Sequence, residues 1–224
     1  MCKPFIGNHQ FNLIQKQANM LLQALQATDP QVAVSVRDSV KYQIWSEFPE
    51  ATEAQSRLLD HLTDARTEDE VRERLRALEP YVTEFPPLSD KKLKALFPKV
   101  KKLTVPDLSA VDFRRLTYWS WTDIATNRMF LVWVRNGQPV GIEGRFTPVN
   151  KKGACFLCNR QSELVLFSAV SKAKPAHTPA DYYKAVGQYL CRDAGVCNRH
   201  ITSEDALERF VREVTGAHDS SHES

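Results

Sequence analysis

The sequence predicts an α+β fold: a helical first part, then a turn-rich α/β domain built around four cysteines. Three observations carry this. Of eight glycines only Gly7 lies in the first 136 residues, and the other seven fall between 137 and 216. Apolar residues before residue 80 recur three and four apart, the spacing of one helix face. Four of the five cysteines come as two close pairs, Cys155/Cys158 as C-x2-C and Cys191/Cys197 as C-x5-C.

Phe11, Ile14, Ala18, Leu21, Leu22 and Leu25 mark the first helix. Asp29-Pro30 ends it and opens the second, because proline is tolerated in a first helical turn. Val32, Val36, Val40 and Ile44 stripe that second helix, which closes near Pro49. EATEAQSRLLDHLTDA reads as the third and TEDEVRERLRALEP as the fourth. In the fourth, Thr67 and Glu70 have capping-box spacing, and early acids suit a helix N-terminus. Four helices with short connections predict an antiparallel four-helix bundle over residues 1–82. His9 and His61 stand alone there and read as structural or solvated. YVTEFPPLSD, residues 81–90, reads as a linker to a second domain over 83–216.

DKKLKALFPKVKKL predicts a short basic helix broken at Pro98. Its lysines suit nucleic-acid phosphates or a plain solvated face. MFLVWV and QPVGIEGRF are strand-like runs joined by Asn136-Gly137, the strongest two-residue hairpin signal. Trp119, Trp121 and Trp133 suit stacking on bases or, preferably, filling the core of a small domain.

No apolar run approaches the roughly 20 residues of a membrane helix. MCKPFIGNHQ lacks the apolar region of a secretory signal. The expected place is cytoplasmic, where thiols stay reduced and paired cysteines read as metal ligands. The net charge of +3 is unevenly spread. Residues 1–88 carry 9 basic and 13 acidic side chains, and residues 89–150 carry 11 and 5. Such a chain suits docking to a large acidic partner or is ordinary solvated surface.

A C-x2-C turn presents two sulfurs to one tetrahedral ion, and a distant pair completes the shell. Four thiolates favour one structural zinc, held by Cys155, Cys158, Cys191 and Cys197. A closed shell leaves no position for water, so no hydrolytic metal is expected. With no phosphate loop, no GxSxG and no convincing carboxylate pair, the chain reads as not an enzyme. Alternatives stand beside this. His200 or His177 could replace a cysteine ligand. Cys155/Cys158 could be a redox pair. Cys2 is a spectator. After the last ligand, Thr202 reads as an N-cap with Asp205 at N3. Leu207, Phe210, Val211 and Val214 form a stripe, and Gly216 is the stop. The order of knuckle, hairpin and ligand-bearing helix is that of a treble-clef-like zinc finger over about 150–216. Residues 217–224 read as a disordered tail.

HQFNLI, KVKKLTVPD, WTDIATNR, the C-x2-C after Lys152-Gly153, and YLCRD-x3-CN occur in this order. In them the chain resembles, over nearly its whole length, the FusB/FusC-type family of fusidic acid resistance and elongation factor G-binding proteins. The resemblance implies a helical N-terminal domain and a four-cysteine zinc-finger domain. It implies binding to elongation factor G, chiefly its C-terminal domains, and release of the factor from ribosomes on which fusidic acid holds it. The drug itself is neither bound nor altered. The family's zinc ligands fall on the same four cysteines. Two of its partner contacts fall on Tyr189 and Phe210. Two more meet Ala154 and Val186, with Phe156 and Lys184 the nearby residues of the right type. From the residues alone, Phe210 also reads as core and Tyr189 as packing against the finger. The expected assembly is a monomer that meets the ribosome transiently. The rival reading is a zinc-finger RNA-binding protein at the ribosome, gripping RNA through its basic stretch and aromatics.

Overall fold

The computed structural model describes residues 3–26, 30–173, 179 and 183–216. Cys2, Asp29, His177 and the tail 217–224 lie outside them. The chain forms two compact units, Met1–Glu84 and Phe85–Ser224.

The first unit contains four helices: α1 (Asn8–Leu25), α2 (Pro30–Ser46), α3 (Glu53–Thr63) and α4 (Glu68–Leu78). Phe11, Ile14, Ala18 and Leu21 of α1 are buried with Val40 and Ile44 of α2, Leu59 and Leu62 of α3, and Val71 and Leu78 of α4. In the α2 stripe Val40 and Ile44 are buried and Val36 packs partly against the core, while Val32 is exposed. The capping device expected at α4 is modified: Thr67 Oγ1 accepts from Glu70 N–H at 3.2 Å, and the Glu70 carboxylate accepts from Arg66 N–H at 2.8 Å. The reciprocal capping box sits at α3, where Thr52 and Gln55 exchange bonds. The unit closes on itself as Ile6 bridges Val82 in parallel and Ile6 C=O accepts from Thr83 N–H.

The second unit holds a five-stranded antiparallel sheet in chain order: β1 (Tyr118–Asp123), β2 (Arg128–Arg135), β3 (Gln138–Ala154), β4 (Gln161–Val170) and β5 (Ala185–Cys191). β2 and β3 join at Asn136-Gly137 with φ of 50° and 73°, the left-handed pair that a type I′ turn needs. Both faces of the β1–β2 end are covered. On one face Trp119, Trp121, Phe130 and Val132 pack against Leu93 and Phe97, on and just after α5 (Asp90–Leu96). On the other, Tyr118, Met129, Leu131 and Trp133 join the core that also holds the cysteines. All three tryptophans named above are thus core, and none offers a face for a base.

Helix α7 (Asp205–Thr215) buries Leu207, Phe210, Val211 and Val214 against this second core. It starts later than a Thr202 cap implies. The chain stays irregular through 201–203 while Ile201 enters the core, Ser203 Oγ accepts from Asp205 N–H at 3.1 Å, and Glu204 accepts from Trp133 Nε1–H at 2.7 Å. Gly216 ends the helix at φ 73°. Phe210 is 0% exposed and meets Phe167 at a centroid distance of 5.7 Å. Its side chain packs in the core of the second unit, in line with the reading of the apolar stripe. Among the described residues no helix is long and apolar enough to cross a membrane.

Phe210→Ala should cost the second unit about 3–5 kcal/mol by loss of burial and a residual cavity. Denaturant unfolding of the full chain checks this; a loss under about 1 kcal/mol would return Phe210 to the surface.

Candidate metal centre

Three structural elements deliver four sulfurs to one point. β3 carries a register shift between Pro148 and Lys152, and its last pairs, Lys152–Glu163 to Ala154–Gln161, aim the chain at Cys155. Such a bulge bends a strand locally. Cys155 to Arg160 then form a tight knuckle: Asn159 N–H donates to Cys155 C=O at 2.8 Å, Cys155 N–H to Arg160 C=O at 3.0 Å, and Asn159 sits at φ 53°. Cys191 ends β5. Cys197 sits on the single turn α6 (Ala194–Asn198), which Asp193 caps by accepting from Gly195 N–H at 2.7 Å and Val196 N–H at 3.3 Å.

The four sulfurs lie within 4.8 Å of one another. Cys155 Sγ to Cys197 Sγ is 3.8 Å, and Cys158 Sγ to Cys191 Sγ is 3.6 Å. Both are far beyond the roughly 2.05 Å of a disulfide. A tetrahedron with Zn–S near 2.3 Å has edges of about 3.8 Å, so the donor set fits zinc. The residues that would hold the ion are these four cysteines, and their four thiolates supply a closed structural shell.

The thiols act on one another. Hydrogen bonds from Cys158, then Cys191 and Cys197, pull Cys155 far down. Contacts with Cys155 and then Cys158 push Cys191 and Cys197 far up. Cys158 is lowered as well, against the opposing effect of Cys155, so two of the four thiols lean toward thiolate while like charges so close hold the other two back. A dication held by the four cysteines would reverse that balance and favour all four as thiolates. Cys191 N–H already donates to Cys155 Sγ at 3.3 Å. His200 does not join the cluster among the described residues. Burial, with Arg160 and Arg199 nearby, lowers its pKa.

The remaining expected site residues scatter around this centre. Tyr189 is 51% exposed and pairs with Leu166 across β4–β5. Its C=O accepts from Phe156 N–H at 2.8 Å, so the knuckle and Tyr189 are neighbours. Phe156 is half-buried with the Arg209 guanidinium 5.2 Å from its ring centroid. Lys184 is exposed just before β5, and Ala154 is exposed at the end of β3. Val186 is 7% exposed and joins the inner core, so its position offers no surface contact. Arg209 and Asn198 escaped the sequence reading; the asparagine directly after Cys197, inside the quoted YLCRD-x3-CN pattern, was the available signal for the second.

The family model described as "Elongation factor G-binding protein, N-terminal" matches residues 5–86, and "FBP C-terminal treble-clef zinc-finger" matches residues 95–220. Among solved structures the chain is similar to one titled "Structure of the fusidic acid resistance protein FusC", with 25% sequence identity and a TM-score of 0.78 over 95% of this chain and 98% of that one. No curated protein matches the chain.

The full chain purified under reducing conditions should carry one zinc by elemental analysis. Cys191→Ser should lose it and lower the melting temperature of the second unit. Acidification should release the metal as the thiolates protonate. A metal-free chain with an unchanged melting temperature would contradict this.

Proposed function

Because the chain belongs to the family of elongation factor G-binding proteins with an FBP-type treble-clef zinc finger, we propose that it binds elongation factor G through the zinc-finger face of its second unit and promotes the factor's release from the ribosome. That action would protect translation from fusidic acid at the level of the target. The observation that carries the reading is the pair of family matches spanning both units. The surface beside the metal centre supports it. Tyr189 is a large, half-exposed aromatic on a strand braced by a metal-held knuckle, and rigid aromatics of this kind anchor protein interfaces. Phe156 with Arg209 above its ring, and Lys184 at the start of the strand, would extend the contact with apolar and cationic groups.

No chemistry on the factor or the drug is needed. A protein that prefers the factor's free conformation over its ribosome-bound one shifts that equilibrium by the difference in affinity. The contact would involve the C-terminal domains of the factor, with one chain per factor molecule. The ribosome enters only as the competing partner.

Tyr189→Ala should weaken binding to purified elongation factor G about tenfold or more in a calorimetric titration, with no change in melting temperature. Unchanged affinity would remove Tyr189 from the interface. Added to pelleted ribosome–factor–fusidic acid complexes, the protein should move the factor into the supernatant. A factor that binds the protein but stays with the ribosome would confine the function to binding.

A further inference from the structure

The core around the cysteines contains a polar atom that packing alone leaves unexplained. Tyr118 is 0% exposed on β1, and its Oη has no partner at hydrogen-bonding geometry. Buried hydroxyls in folded proteins are nearly always paired, so an orphan at a metal-ligand cluster points to an acceptor in the ligated state. Its surroundings identify that acceptor. Tyr118 shares one buried cluster with Cys155, Cys191 and Cys197, and its backbone is bound to Asn198, the residue directly after Cys197, which makes the Cys197 sulfur the acceptor at hand. A neutral thiol accepts weakly, whereas a metal-bound thiolate accepts well.

The backbone of Tyr118 is held by the residue next to the same ligand. Asn198 Oδ1 accepts from Thr117 N–H at 2.7 Å and Tyr118 N–H at 3.2 Å. Asn198 Nδ2 donates to Tyr118 C=O at 2.9 Å and Ala194 C=O at 3.0 Å. The asparagine is 1% exposed and pairs with the free edge of β1 as a neighbouring strand would. Four thiolates around a dication leave a net charge of about −2 in a buried site. Outer groups that donate to sulfur offset it, as Cys191 N–H is placed to do for Cys155.

We propose that Tyr118 is a positioning residue of the metal centre: its hydroxyl donates to Cys197 Sγ when that sulfur is a metal-bound thiolate, and the Asn198 carboxamide holds β1 in register with the ligand. Metal occupancy and the edge of the sheet are thereby coupled. The inference is independent of what the protein binds.

Tyr118→Phe removes one oxygen and keeps the ring in the core. The zinc-loaded full chain is mixed with a chromogenic chelator, and the cobalt-substituted chain gives the sulfur-to-metal charge-transfer bands. The variant should release zinc roughly tenfold faster, within the range for loss of an outer-shell partner. Its charge-transfer bands should move to lower energy, because an unbonded thiolate is richer in electrons. Tyr183→Phe, at an exposed tyrosine, should change neither reading. If the hydroxyl is merely an orphan, Tyr118→Phe will instead leave release and bands unchanged while the fold becomes no less stable. That outcome overturns the proposal. Should Tyr118→Phe fail to fold, Thr117→Pro, which removes one of the N–H groups held by Asn198, replaces it: faster zinc release is expected, and an unchanged rate overturns the coupling.

Discussion

Convergence of four sulfurs from three separate elements is the constraint on which the second unit depends. A bulge in β3, the end of β5 and one turn of helix must all arrive within a few ångströms. No local preference achieves this. The knuckle's left-handed Asn159 and the five-residue α6 are weak structures alone, since a helix that short is not stable by itself. A metal ion that binds four thiolates converts their convergence into folding free energy. The reward is rigidity where the knuckle, β5 and α6 meet, beside a sheet whose β1–β2 edge has both faces covered by apolar side chains.

That rigidity gives the surface beside the metal its character. The β5 strand carries Tyr189 outward and Val186 and Leu190 inward, so one strand joins core and surface. Its neighbour Phe156 is fixed through its own N–H to Tyr189 C=O. Aromatic side chains held this way lose little entropy on binding, which is where interface affinity is gained or lost. Action by binding alone works through such preorganisation and through a preference among the partner's conformations.

Much of this was legible in the sequence, for identifiable reasons. Helical periodicity revealed the four helices of the first unit, because each presents one apolar face to one core. Asn136-Gly137 revealed the hairpin, because few dipeptides accept two left-handed conformations. Spacing revealed the metal ligands, since C-x2-C is dictated by the geometry of a chelating turn. Strand β1 escaped because TYWSWTD is buried on both faces and shows no clean alternation. The start of α7 was misplaced because Ile201 and Glu204 are held by tertiary contacts that override a local cap. Phe210 shows what a stripe leaves open. An amphipathic stripe marks it as apolar and helical, and only the structure shows that it lies 0% exposed while Tyr189 is open. The roles of Asn198 and Tyr118 were not legible, although the asparagine stands in the YLCRD-x3-CN pattern, because they depend on residues far apart in the chain.

The central claim is that the metal-braced finger is the platform for elongation factor G. The direct measurement is a calorimetric titration of the factor with the same preparation before and after zinc is removed by a chelator, at moderate salt and without ribosomes. The account predicts saturable one-to-one binding by the zinc-loaded chain, loss of that binding on stripping, and its return when zinc is restored. Equal binding with and without the metal would contradict it and move the interface away from the finger.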